Sequence, residues 1–327
     1  MMSAIFKYFR DLADGISAIW NRFWFGTREP HTLGLIRILS GLLALYFVGS
    51  FTFDLNTWFG ANGILPSETV WRLTGESEFS VGGADSVYRW SYLHLVDSPV
   101  MLMVVHFVGL LVLLAFTLGL YSRITNALSF VVVVSYIHRA PVIAGMFEPV
   151  LALTLLYLCF APTGAVYSLD GYLRRRRGKE NAESSNNNTA ALSANIATRL
   201  LQVHTAAFVL MMGHAKMTSG TWAAGNAIWW LIARSESRLV DLTFLYDSTV
   251  IINMMTHSVV AIEILFPVLI WIRLSKPLFL GVTFVAWTCL VLLTGQVAFY
   301  AALMVACLSF VDPARIAALF AKRSESS

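Results

Sequence analysis

Long apolar runs separated by short polar breaks dominate the chain. They fall at about 31–53, 98–120, 124–138, 147–163, 197–216, 248–272, 277–294 and 297–312. A helix needs roughly 17–25 mostly apolar residues to cross a bilayer. The alternating ~10-residue segments of a membrane barrel do not occur. The pattern predicts an all-α, polytopic transmembrane helical bundle of about eight spans. A re-entrant hairpin formed by the last two runs would lower the count to seven.

The breaks have distinct characters. Residues 1–30 set Phe6, Phe9, Ile16, Ile19, Trp20 and Phe23 against Lys7, Arg10, Arg22 and Arg28. They lack the continuous apolar core of a signal peptide, which predicts an amphipathic helix lying on the membrane surface. The loop at 54–97 is long and aromatic, with Trp58, Trp71, Tyr88, Trp90 and Tyr92, and predicts an ordered cap rather than a linker. Residues 171–196 carry four arginines followed by a Ser/Asn-rich tract and read as a flexible cytoplasmic linker. A polar tail occupies 314–327. The transmembrane domain is thus expected over 31–313.

Composition sharpens the class. Hydrophobic residues make up 57% and charged residues only 13%, against about 25% charged in soluble domains. The net charge of +4 does not point to nucleic acid, because the positive residues cluster at one set of span ends. With the N-terminus inside, sixteen of the 23 lysines and arginines lie in cytoplasmic segments. That bias predicts both termini cytoplasmic, and the 54–97 loop, the His138–Glu148 turn and the 213–247 segment on the extracytoplasmic face. Cys159, Cys289 and Cys307 sit in apolar runs without a Cys-x-x-Cys spacing, so each is expected to pack as a small hydrophobe.

Few residues in such a chain carry chemistry. Arg37 lies inside the first run, where a lipid-facing guanidinium would cost about 2.5–3.5 kcal/mol, so an internal partner is expected unless it snorkels. Lys216 ends an apolar helix beside His214 and before Trp222. It reads either as a lysine reaching for headgroups or as a base, since desolvation and nearby positive charge favour a neutral amine. His257 and Glu263, six residues apart, differ by about 240° around a helix, so each needs its own partner. Glu148 is a further acid on the same side. No His-x-x-x-His or Glu-x-x-His spacing occurs, and no metal site is expected. No Gly-x-Ser-x-Gly marks a hydrolase, and no paired broken helices mark a transporter.

The run Arg199-Leu200-Leu201-Gln202, then Gly213, Lys216, Met217, Trp222 and Gly225, resembles the signature segment of the HTTM domain family. These are the bacterial membrane relatives of the vitamin K-dependent gamma-carboxylase. Gly119–Arg123, the His138-Arg139-Ala140 triplet, the Phe160–Asp170 stretch and Arg37 resemble other family motifs. The resemblance implies a bacterial inner-membrane protein in which Lys216 is the catalytic base toward a lipophilic quinol, a reduced naphthoquinone. His214, Trp222, His138 and Arg139 would support that substrate. Three departures bear on this. Ala140 replaces the usual asparagine, and Gly145–Pro149 lacks the histidine of the carboxylase. That enzyme's large C-terminal region has no counterpart in these 327 residues. Carboxylation of protein glutamate is therefore not expected. A non-enzymatic lipid- or quinone-binding protein, or a partner subunit, is the alternative.

Overall fold

In a computed structural model, residues 2–60, 62–74, 90–96, 98–176 and 187–324 are described. Among them there are helices and turns and no strands. The chain divides into two compact units, one of Met1–Leu200 with Val311–Ser327 and the other of Leu201–Phe310.

The first unit begins with the amphipathic helix α1 (Met2–Phe25), whose Phe6, Phe9, Ile16, Ile19 and Trp20 are exposed. Its last turn is held by side chains from α9 (Asn187–Thr218), which opens in this unit. Asn195 Nδ2 donates to the Phe23 and Trp24 carbonyls at 2.9 Å each, supplying partners that a helix end otherwise lacks. The Arg199 guanidinium stacks on the Phe23 ring at 4.3 Å.

The core of this unit is built from α2 (His31–Gly49), α5 (Pro99–Leu118), α6 (Ser122–Arg139) and α7 (Phe147–Cys159). Helix α2 packs on α5 and α7, and α6 on the same two. Leu33, Ile36, Val48, Leu113, Phe116, Val133, Leu151 and Leu155 fill the interior. Gly41 lets α2 close on α5, because a Cβ there would collide with Thr117. Between α2 and α5, α3 (Leu55–Phe59), α4 (Ser67–Thr74) and a short 3-10 turn at Tyr92–Leu95 order the described part of the 54–97 loop. Leu55, Phe59, Leu65 and Leu93 anchor it. Tyr88 and the Trp71 side chain, expected in that cap, lie outside the described residues.

The second unit contains the rest of α9, then α10 (Gly220–Ala223), α11 (Ala227–Ala233), α12 (Thr249–Leu269), α13 (Lys276–Thr294) and α14 (Val297–Cys307). Pro277 opens α13, and Gly295 closes it in the left-handed conformation at φ +67°. Helix α12 packs on α10, α11 and α13, and α13 on α14. Phe266, Trp287, Leu290, Tyr300, Leu303 and Phe310 form the interior. Helix α15 (Pro313–Ser324) packs on α2 in the first unit.

All eight predicted apolar runs are helical. Among the described residues, five helices are long and apolar enough to cross a membrane: α2, α5, α9, α12 and α13. Their outer faces are greasy, as with Val104, Phe107 and Leu111 of α5 and Leu278, Val282 and Val285 of α13. Patches this apolar fit contact with lipid. Helices α7 and α14 are apolar but shorter. Helix α6 departs from the apolar pattern, burying Ser122, Asn126, Ser129, Ser135 and Arg139 inside its unit. Two expectations need correction. Residues 171–176 and 187–196, expected within a flexible linker, are helical, in α8 (Leu169–Arg176) and at the start of α9. Residues 177–186 lie outside the described residues. Cys289 is exposed on α13 rather than packed, whereas Cys307 is buried.

Candidate functional site

In the second unit, Lys216 meets Glu263. Nζ donates to Oε1 at 2.7 Å and to Oε2 at 2.6 Å, with the Glu263 side chain fully buried and that of Lys216 15% exposed. Gly213, one turn earlier on α9, makes the approach possible. A Cβ at Gly213 would stand 3.0 Å from Glu263 Cβ and 3.1 Å from the Ile264 side chain, so a larger residue would push α9 off α12. Trp222 of α10 brings its ring to 5.3 Å from Nζ, within the range where an aromatic face attracts a cation.

The pair sits inside α12, not at an end. Glu263 lies about 21 Å along the helix from Thr249 and about 9 Å from Leu269, at 1.5 Å per residue. Segment 220–233 continues along α12, with the Ile228 N–H on Thr256 Oγ1 at 3.3 Å. The Lys216 side chain is thus directed at an acid of the adjacent helix. Its neighbour is also a carboxylate rather than the positive charge anticipated for a depressed base. Pro267, four residues beyond Glu263, has no N–H to give the Glu263 carbonyl, which loosens α12 at the site.

The wall behind the carboxylate is aromatic. Trp287 stacks on Phe266 at 6.3 Å and lies 6.4 Å from Tyr300. Trp287 and Tyr300 both come close enough to Glu263 to feel its charge. The buried Trp287 Nε1 closes no hydrogen bond of good geometry. A buried donor left this way is uncommon, and the Glu263 carboxylate beside it is an acceptor that can satisfy it.

The sequence candidates divide. Lys216 and Trp222 come together, and Glu263 joins them. His214 is exposed and points away, two residues and about 200° from Lys216 on the helix. His257 faces Gly225, whose left-handed φ of +77° brings its backbone against Asn253 and His257. The 240° offset from Glu263 is thus realised. His138 and Arg139 belong to the first unit. There His138 Nδ1 bonds the Trp90 carbonyl at 2.8 Å, and Arg139 Nη2 donates to the Phe59 carbonyl at 3.1 Å. Glu148 accepts the Gly145 N–H at 2.8 Å and secures the turn before α7. Among the described residues, no three His, Cys, Asp or Glu side chains gather as a metal-holding group.

Two further clusters mark the first unit. At one end, Arg37 is fully buried and donates to the Thr163 and Tyr167 carbonyls. Beside it Asp170 accepts the Tyr121 and Ser122 N–H groups at 3.0 and 2.9 Å, capping α6. Burial alone would raise the Asp170 pKa, but these amides and the Ser122 hydroxyl outweigh it and hold the carboxyl below its ordinary value. Gly119, at φ +72°, leaves room for the Arg37 guanidinium and Ser168. The motif residues at 37, 119–122 and 168–170 thus form one knot, with a cavity of about 700 Å³ beside it that Tyr167, Leu118 and Arg175 help to line.

The second cluster was not evident from sequence. Thr52 Oγ1 donates to the Gly49 carbonyl at 2.7 Å, so it accepts from His106 Nε2 at 3.0 Å. Neutral His106 then presents Nδ1 as the acceptor for the Tyr136 hydroxyl at 2.7 Å. The one visible signal was a histidine in the middle of the 98–120 run. Comparison with known protein families, with curated proteins and with solved structures finds no match.

Proposed function

We propose that this chain is an integral membrane protein of the HTTM type, in which Lys216 and Glu263 form a proton-exchanging site for a lipophilic quinol. The single observation that carries the reading is the Lys216–Glu263 contact itself. Ionisable residues inside membrane spans are rare and mostly functional, and this pair holds a proton donor and a proton acceptor in direct contact. Glu263 takes a proton from the Lys216 ammonium, and the amine takes the phenolic proton of the quinol. The net products are a protonated Glu263, a Lys216 ammonium and a phenolate paired with it, so charge and protons balance. Trp222 and the aromatic wall suit a flat, apolar ring system.

The same reading takes the eight helices as membrane spans, with both termini cytoplasmic in a bacterial inner membrane and 213–247 toward the extracytoplasmic side. The lysine and arginine distribution supports that orientation. Protein glutamate is not the substrate in this account. The test is oxidation of a naphthoquinol by the purified protein under oxygen, with quinone and epoxide products followed by mass spectrometry. Turnover that disappears in Lys216→Met and Glu263→Gln, at matched melting temperatures, is the expected result. Turnover that persists without Lys216 would sink the assignment. Quinol binding without turnover in the wild type would leave a binding protein.

A further inference from the structure

The cavity beside the Arg37 knot holds about 700 Å³, inside the ~300–1,000 Å³ range of ligand sites. It lies wholly in the first unit, where the first half of α2, the end of α5, residues 165–169 and α8 meet. Its walls are mainly apolar. Ile38, Leu118 and Val166 stand beside Tyr167 and Tyr172, and Arg175 of α8 joins them. Leu118, Tyr172 and Arg175 are exposed, so the recess opens outward along these three.

The inner wall is fixed by the chain itself. Tyr167 holds φ +54°, a conformation uncommon outside glycine, and Arg37 Nη2 donates to its carbonyl at 2.7 Å. Gly34 lets α2 pack directly on this turn. A Cβ there would stand 3.0 Å from the Val166 carbonyl oxygen and 3.1 Å from the Tyr167 ring.

The charge at the opening is positive. Residues 174–186 hold five lysines and arginines against two glutamates, so the segment stays cationic even with both acids paired. Asp170 is engaged by the Tyr121 and Ser122 amides, and Glu29 is exposed, 3.8 Å from His31 Nε2. Tyrosines and arginines gather where a span meets the headgroups, and a basic pocket between helices at that level suits an acidic headgroup. A guanidinium matches phosphate in shape and charge. The apolar wall matches an acyl chain.

We infer that the recess between α2, α5 and α8 is a binding site for an anionic phospholipid. Its phosphodiester sits on Arg175, and its glycerol and upper acyl chain lie against Leu118, Val166 and Tyr172. This rests on the chain spanning the membrane and not on the quinol site, which belongs to the other unit.

The test titrates the full-length protein, in a mild neutral detergent, with phosphatidylglycerol or with phosphatidylcholine of the same chains. Bound lipid is counted by native mass spectrometry. The inference predicts a single phosphatidylglycerol that saturates and is retained several-fold better than phosphatidylcholine. Arg175→Gln, at an exposed position, should weaken it about five-fold, the share of one arginine near an anionic lipid. Arg176→Gln makes the same charge change outside the lining and should weaken it less. Leu118→Trp, which fills the recess, should abolish retention at an unchanged melting temperature. Equal retention of the two lipids would overturn the site, as would equal losses in Arg175→Gln and Arg176→Gln. So would undiminished retention in Leu118→Trp, or displacement of the lipid by glycerol 3-phosphate, which would mark a site for free phosphate.

Discussion

Arg37 and Lys216 are both buried cations on long apolar helices, yet their partners differ in kind. Arg37 ends on the carbonyls of Thr163 and Tyr167, with Asp170 beside it engaged in capping α6. Neither carbonyl can take a proton, so the contact fixes a turn. Lys216 ends on both oxygens of Glu263, a group that can accept and return a proton. Burial of a charge therefore does not distinguish structure from chemistry here. The partner's ability to titrate is the difference on which the proposed function rests.

The contrast is breakable by mutation. Glu263→Leu leaves the Lys216 ammonium buried and unpaired, and stability should fall by about 3–5 kcal/mol, as when one partner of a buried pair is lost. Adding Lys216→Met should recover most of that loss in chemical or thermal unfolding. Failure of the double variant to recover would mean that the pair holds α9 to α12 by geometry that apolar packing cannot replace. Arg37→Met should cost a comparable amount, about 1–3 kcal/mol for each of the two carbonyls left without a donor. It should leave quinol binding unchanged, and altered binding would show that the knot is not merely structural.

Smaller effects lie at the capping and loop groups. Asp170→Ala should cost about 0.5–2 kcal/mol, the usual loss when a capping side chain is truncated. The folded Asp170 pKa is depressed, so its contribution is present above the ordinary carboxylate value and lost as pH falls below it. Asp170→Asn should accordingly weaken the acid-side decline of the melting temperature. His94 behaves in the same direction for a different reason. Its folded pKa is lowered from 6.5 to about 4, so the unfolded chain binds the proton first as pH falls. Stability present above 6.5 is lost on the way down to about 4. His94→Gln should flatten that interval in a pH series of melting curves, and an unchanged slope would remove His94 as its source.

The helical framework was legible because apolar runs and their breaks are local. Pro99 at the start of α5, Gly119 at its end, and Pro277 and Gly295 around α13 mark helix ends directly. The need for an internal partner at Arg37 also followed from its depth in an apolar run, though not that the partner would be backbone. Glu263 was visible as an acid in a span, and its offset from His257 held. Its pairing with Lys216 bridges 47 positions in the chain, and no local pattern encodes that. Gly213 now explains the contact, but a glycine three residues before a lysine has many uses. His106 carries no such signal, because a lone histidine in an apolar run reads as core. His214 was favoured for closeness in sequence, whereas helix geometry turns it away.

The most direct test of the Lys216–Glu263 account is an anaerobic absorbance titration of the protein with a naphthol, a phenol that cannot turn over as a quinol does. At a pH where free naphthol is neutral, the wild type should show the naphtholate spectrum on binding. Lys216→Met and Glu263→Gln should bind naphthol in its neutral form. Bound naphthol that stays neutral in the wild type, or naphtholate formed equally in both variants, would contradict proton exchange at this pair.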